Sequence, residues 1–93
     1  MSNKTSNTAS ATCEIRVLLF SLLKEKVGAS ELSLTLDAPA TGTDLLDRLE
    51  ADHPSIADHR SSLRLAVNQE YVSTDVSLED GDEVAIITPV SGG

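Results

Sequence analysis

Aromatic side chains are nearly missing from this chain: Phe20 and Tyr71 are the only two among 93 residues, and there is no tryptophan. A packed interior must therefore be built from Leu, Val and Ile. Cysteine is just as scarce. Cys13 stands alone, which excludes an internal disulfide framework and fits a reducing, cytoplasmic setting. Positive charge is in short supply, with 7 Lys and Arg against 15 Asp and Glu and a formal net charge of −8. Such a surface would repel a phosphate backbone, so nucleic acid is not an expected partner, whereas a protein with a basic face is. No apolar run approaches the roughly 20 residues of a membrane span, so no membrane partner is expected either. Residues 1–12, rich in Ser, Thr and Asn with one Lys and no apolar centre, read as a disordered lead and not as a signal peptide.

Residues that usually carry chemistry are thin on the ground. His53 precedes Pro54 at an expected helix end and His59 lies in a polar loop, both read as solvated. Neither has metal-ligand spacing to Cys13, so no metal is expected. Arg16 is the only basic residue near Cys13 in sequence, and the thiol reads as inert. The acidic group Glu79, Asp80, Asp82 and Glu83 lacks the spaced oxygen ligands of a calcium loop and reads as a turn with a solvated face. Gly28 and Gly42 are isolated, so no phosphate-cradling glycine loop is present, and Lys24 and Lys26 read as surface residues.

What the chain does have is patterning. Ile15, Val17 and Leu19 alternate with Arg16, Leu18 and Phe20, which predicts a strand over Glu14 to Phe20 with apolar groups on both faces. Ser21 is the expected N-cap of a short helix over Leu22 to Val27 that Gly28 ends. Leu32, Leu34 and Leu36 alternate with Glu31, Ser33 and Thr35 in a half-buried second strand. Thr41 or Thr43 caps the main helix, whose stripe is Leu45, Leu46 and Leu49 and which Pro54 closes after Asp52. Leu63, Leu65 and Val67 form a third strand, Asn68 to Glu70 a turn, and Tyr71-Val72 a short strand. Glu79-Asp80-Gly81-Asp82 is a tight turn before a last strand, Glu83 to Thr88. One amphipathic helix covers only one face of a sheet, so the expected fold is α+β, a ubiquitin-like β-grasp with a mixed sheet and the first and last strands central and parallel. By strand parity Leu18, Phe20, Ala66, Ala85 and Ile87 then form an apolar patch on the uncovered face, with Tyr71 at its edge. A heteromeric partner, a self-dimer or covering loops would each account for it.

The chain ends Pro89-Val90-Ser91-Gly92-Gly93. Glycines have no Cβ, so such a tail could pass a narrow channel and deliver a terminal carboxylate, and five extended residues reach roughly 17 Å. A diglycine without context also fits a frayed end, the less favoured reading. Context comes from Val17-Leu18-Leu19-Phe20, Ala66-Val67-Asn68-Gln69 and, above all, Leu78-Glu79-Asp80-Gly81-Asp82-Glu83-Val84-Ala85 leading into that tail. Together they resemble the molybdopterin synthase small-subunit family over residues 14 to 93. Thr88 before a single Pro89, and Ile86 and Ile87 where aromatic residues are common, depart from the family pattern.

The resemblance implies a sulfur carrier that is not an enzyme alone. Gly93 would be the reacting residue, holding no bound cofactor but a transient acyl-adenylate and then a covalent thiocarboxylate, while Gly92, Ser91, Val90 and Pro89 thread the tail. It implies two partners: an adenylating enzyme of the ubiquitin-activating type, and a large catalytic synthase subunit in a heterotetramer of two small and two large chains. Phe20, Leu18, Tyr71 and Ile87 would meet that large subunit. Sulfur would pass to the cyclic pterin precursor and build the molybdopterin dithiolene. The alternatives are a carrier for thiazole or tRNA thiolation, a ubiquitin-like protein modifier, and an interaction module with an inert tail. The expected organisation is a lead over 1–12, a domain over 13–88 and a tail over 89–93.

Overall fold

The computed structural model of the protein describes residues 11–88, so residues 1–10 and the tail residues Pro89 to Gly93 lie outside the described part. The elements run β1 (Thr12–Leu19), α1 (Ser21–Val27), β2 (Glu31–Asp37), β3 (Ala40–Thr41), α2 (Gly42–Asp52), a 3-10 segment (Pro54–Ser62), β4 (Arg64–Val67), β5 (Glu70–Val72), β6 (Ser77–Leu78) and β7 (Glu83–Ile87). Five strands form one mixed sheet in the order β2-β1-β7-β4-β5, with β1 and β7 parallel and the other pairs antiparallel. The fold is the expected α+β β-grasp. β1 begins at Thr12, paired with Asp37, so the strand takes in the last residue assigned to the lead.

Burial follows the alternation. Ile15, Val17, Leu19, Leu34, Leu36, Leu65, Val84 and Ile86 point into one core, and Leu45, Leu46 and Leu49 of α2 close it from above. Each such side chain taken from water stabilises the fold by roughly 1.5–3 kcal/mol, which lets an interior without aromatic rings suffice. Between the two candidate caps of α2, the structure selects Thr41. Its hydroxyl oxygen accepts from the Asp44 N–H at 3.2 Å, and the Asp44 carboxylate accepts from the Thr41 N–H at 2.9 Å, a reciprocal capping box.

Two local expectations are corrected, and one unpredicted element is added. Ser21 does not cap α1: Phe20 holds that position, its carbonyl accepting from Leu23 and Lys24 N–H, and Ser21 is already the first helical residue. Residues 54–62 are not a loop but a 3-10 helix, pinned on one side by buried Ile56 and on the other by Arg60, which donates to Asp47 at 2.8 Å and Glu50 at 2.9 Å on α2. Those hydrogen bonds, to Asp47 first, push the Arg60 guanidinium above its ordinary value. A second small sheet, β3 with β6, also exists, pairing Ala40 with Leu78 and Thr41 with Ser77. It draws Gly42 so close to the 74–76 segment that an added Cβ would sit 2.5 Å from Leu65 Cδ1 and 2.8 Å from the Thr74 carbonyl.

Candidate functional site at the root of the tail

The tail positions proposed from the sequence, Pro89 to Gly93, lie outside the described residues; what the structure describes is the platform from which they leave. β7 lies between β1 and β4, so the chain departs from the middle of the sheet, held by backbone hydrogen bonds on both sides. Its entry is fixed just as firmly. Asp82 accepts from the Glu79 N–H at 2.8 Å and from the Asn68 side-chain amide at 3.1 Å. Asn68 in turn accepts from the Glu83 N–H at 3.1 Å, and its own N–H donates to the Glu83 carbonyl at 2.8 Å. Asp80 accepts from the Glu14 N–H at 2.8 Å, and the Gly81 N–H donates to the Glu14 carbonyl at 2.9 Å.

The acidic run is thus a clasp joining the starts of β1 and β7 to the β4–β5 turn. Three positions of these two turns take a left-handed backbone, Asn68 at φ 50°, Gln69 at φ 75° and Gly81 at φ 91°. Asn tolerates that region and glycine adopts it without strain. Behind the clasp, Cys13 is buried in β1. Burial first, then the charges of Asp80 and Asp82, push its thiol up from the ordinary 9.0, so it stays protonated and a poor nucleophile. No group of three or more potential metal ligands occurs among the described residues. His53 ends α2 and His59 lies in the 3-10 segment, both half-buried and distant in sequence and element from the tail root.

The uncovered sheet face carries the four expected interface residues. Register places Leu18 beside Ala85, Ala85 beside Ala66 and Ala66 beside Tyr71, one row across four strands. Phe20 is still extended, at φ −131° and ψ 157°, so it keeps the parity of Leu18. Ile87 follows the residue paired with Leu19 and comes level with Phe20. Phe20 is 50 % exposed and Tyr71 72 %, the large hydrophobic side chains most open to solvent, while Leu18, Ala85 and Ile87 are half-buried. Ala66 is the exception to the predicted exposure: it is buried. Sequence reasoning did not find the charged residues that frame this row. Arg16 bridges Glu31 at 3.0 Å and Glu83 at 2.6 Å on one side, and Arg64 stands opposite Ile87 on the other. Cross-strand pairing, invisible until register is known, makes them neighbours of the patch.

The ThiS family pattern matches residues 17–93. The molybdopterin synthase sulfur carrier subunit of Arabidopsis thaliana is 39% identical over 83 residues, covering 89% of this chain and 86% of the relative. The protein of the same description from Escherichia coli (strain K12) is 41% identical over 81 residues, 85% of this chain and 99% of its own. Among solved structures, the small archaeal modifier protein 1 of Methanosarcina acetivorans superposes with a TM-score of 0.74 at 27% identity, covering 89% of this chain and 99% of that one. Sequence pattern, β-grasp topology and near-complete coverage of these relatives agree, and the chain belongs to the ThiS family, within the ubiquitin-like β-grasp sulfur carriers of the molybdopterin synthase small-subunit group.

Proposed function

We propose that this protein is the sulfur carrier subunit of a molybdopterin synthase, in the cytoplasm, and that it performs its chemistry only with partners. The observation that carries this reading is the identity of 39–41% to carrier subunits of that description over most of both chains, joined to a diglycine end at Gly92 and Gly93. A carboxylate is a poor electrophile. Adenylation of Gly93 by an activating enzyme, with ATP as the adenylyl donor and pyrophosphate released, turns its carboxylate oxygen into part of a good leaving group, AMP. A persulfide sulfur then adds at the carbonyl and AMP departs. A thiol of the sulfur-delivering partner cleaves the S–S bond of the acyl disulfide, leaving as a disulfide, and the thiocarboxylate so released is itself a competent sulfur nucleophile toward the cyclic pterin precursor. The carrier supplies the carbonyl and its reach. The donors that hold the oxyanion must come from the activating enzyme and the large synthase subunit. The heterotetramer of two small and two large subunits brings that large subunit against the Leu18–Ala85–Tyr71 face.

Deleting Gly93 tests this directly. Shortening withdraws the carbonyl by roughly 3.3–3.6 Å, and misplacement by about 1 Å costs on the order of a hundredfold in rate. In a reconstituted reaction with activating enzyme, sulfur source, large subunit and pterin precursor, the truncated chain should give no pterin product while melting like the full chain. A bulky residue at Gly92 should behave the same way. Full turnover without Gly93 overturns the reading.

A second reading, a ubiquitin-like modifier, is favoured by the likeness to small archaeal modifier protein 1. Intact-mass analysis from native cells separates the two. Replacement of one terminal oxygen by sulfur, mapped to the last peptide, marks a carrier, and an isopeptide from Gly93 to lysines of other proteins marks a modifier.

A further inference from the structure

Three of the four arginines are matched to carboxylates: Arg16 to Glu31 and Glu83, Arg48 to Asp52, and Arg60 to Asp47 and Glu50. Arg64 is not. Every Asp and Glu of the chain lies between positions 14 and 83, within the described residues, and none forms an ion pair with its guanidinium. Among the described residues its side chain donates only to the neighbouring Leu63 carbonyl, at a long 3.4 Å. In a chain of net charge −8 with 15 acidic residues, an arginine that no Asp or Glu meets among the described residues is the exceptional one. Its place is equally particular. It stands opposite Ile87, two residues before Pro89, and Ala66 is the next residue of its strand on the same face.

Covering this face with a partner would strip water from the guanidinium together with the apolar row. An arginine desolvated without a counter-charge opposes association, whereas one met by a carboxylate in bidentate geometry favours it and fixes orientation. We infer that Arg64 sets the register of the partner interface, by pairing with an Asp or Glu of the large synthase subunit at the root of the tail. This deepens the functional reading above and rests on it. The rest of the chain is acidic and suits a basic partner surface, so a single acid set within such a surface would also reject partners lacking it. Because the pair lies at the point where β7 becomes the tail, it would fix how far Gly93 reaches.

The test is calorimetric titration of the purified large subunit with the full-length chain and its Arg64→Lys, Arg64→Leu and Arg64→Glu variants, at low and high salt. Arg64 is exposed, so all four should melt alike. Arg64→Glu should weaken binding by about 30-fold or more and Arg64→Lys by less, since lysine keeps the charge but not the fork. Arg64→Leu should flatten the salt dependence. Among single Asp or Glu to Lys changes in the large subunit, one should restore Arg64→Glu. Wild-type binding with all variants unchanged, or with no restoring partner change, overturns the inference alone. Tighter binding by Arg64→Leu also overturns it, since the guanidinium then serves this chain's own terminal carboxylate or none. Absence of binding by the wild-type chain overturns the functional reading and this inference with it.

Discussion

At the scale of single residues, Cys13 shows how burial decides chemistry. A lone thiol in a sulfur-handling family invites a catalytic role, yet its side chain lies inside the core face of β1 behind Asp80 and Asp82. Because burial raises its pKa in the folded state, the stability it contributes is complete below the ordinary value of 9.0 and erodes as pH rises above that, where the unfolded chain ionises first. Iodoacetamide should label native Cys13 far more slowly than the denatured chain, and Cys13→Ser should reduce the loss of stability seen above about pH 9 in urea titrations followed by circular dichroism. Rapid labelling of the native chain would contradict the buried placement. Gly42 makes the complementary point: it reads in sequence as an isolated glycine, and only the approach of Thr74 and Leu65 shows why no larger residue fits there.

At the scale of elements, the acidic turn is a fastening, and its residues act through geometry. Asp82→Ala removes the acceptor for both the Glu79 N–H and the Asn68 amide, and should cost about 1–3 kcal/mol in chemical denaturation. Asp82→Asn, which keeps one carbonyl oxygen, should cost less. Equal and negligible losses would mean the clasp is dispensable. The elements that could be read from sequence are those with a period: Ile15-Val17-Leu19, Leu32-Leu34-Leu36 and the Leu45-Leu46-Leu49 stripe each carry their own signature. The 3-10 segment carries none, being polar except for Ile56, and its conformation comes from packing and the Arg60 pairs. Two-residue strands such as β3 and β6 are too short for any alternation to register. Ser21 failed as a cap because Phe20, the extended residue that follows β1, already provides the first helical carbonyl. The tail was legible as a motif, whereas Arg64 became part of the site only once its pairing with Ile87 was known.

For the whole molecule, the helices lie on one face of the five-stranded sheet, and among the described residues no helix covers the other. Phe20→Asp and Ile87→Asp should each weaken association with the large subunit by about 30-fold or more, because desolvated apolar anchors dominate such interfaces. Phe20→Asp should leave the melting temperature unchanged, as half of that side chain already meets solvent. Unaltered affinity for both variants in a calorimetric titration would remove the open face from the assembly.

The parallel pairing of β1 with β7 has a mechanical consequence. The two strands run side by side in the same direction, so a pull on the end of β7 against the start of β1 loads their hydrogen bonds in shear. Bonds loaded in that way share the load and must yield together, instead of opening one after another as at a hairpin end. β4 braces β7 from the other side with a second row. The strand that leads to the tail is therefore anchored against traction on both of its sides, and a partner could grip and release the diglycine end repeatedly without drawing the domain open.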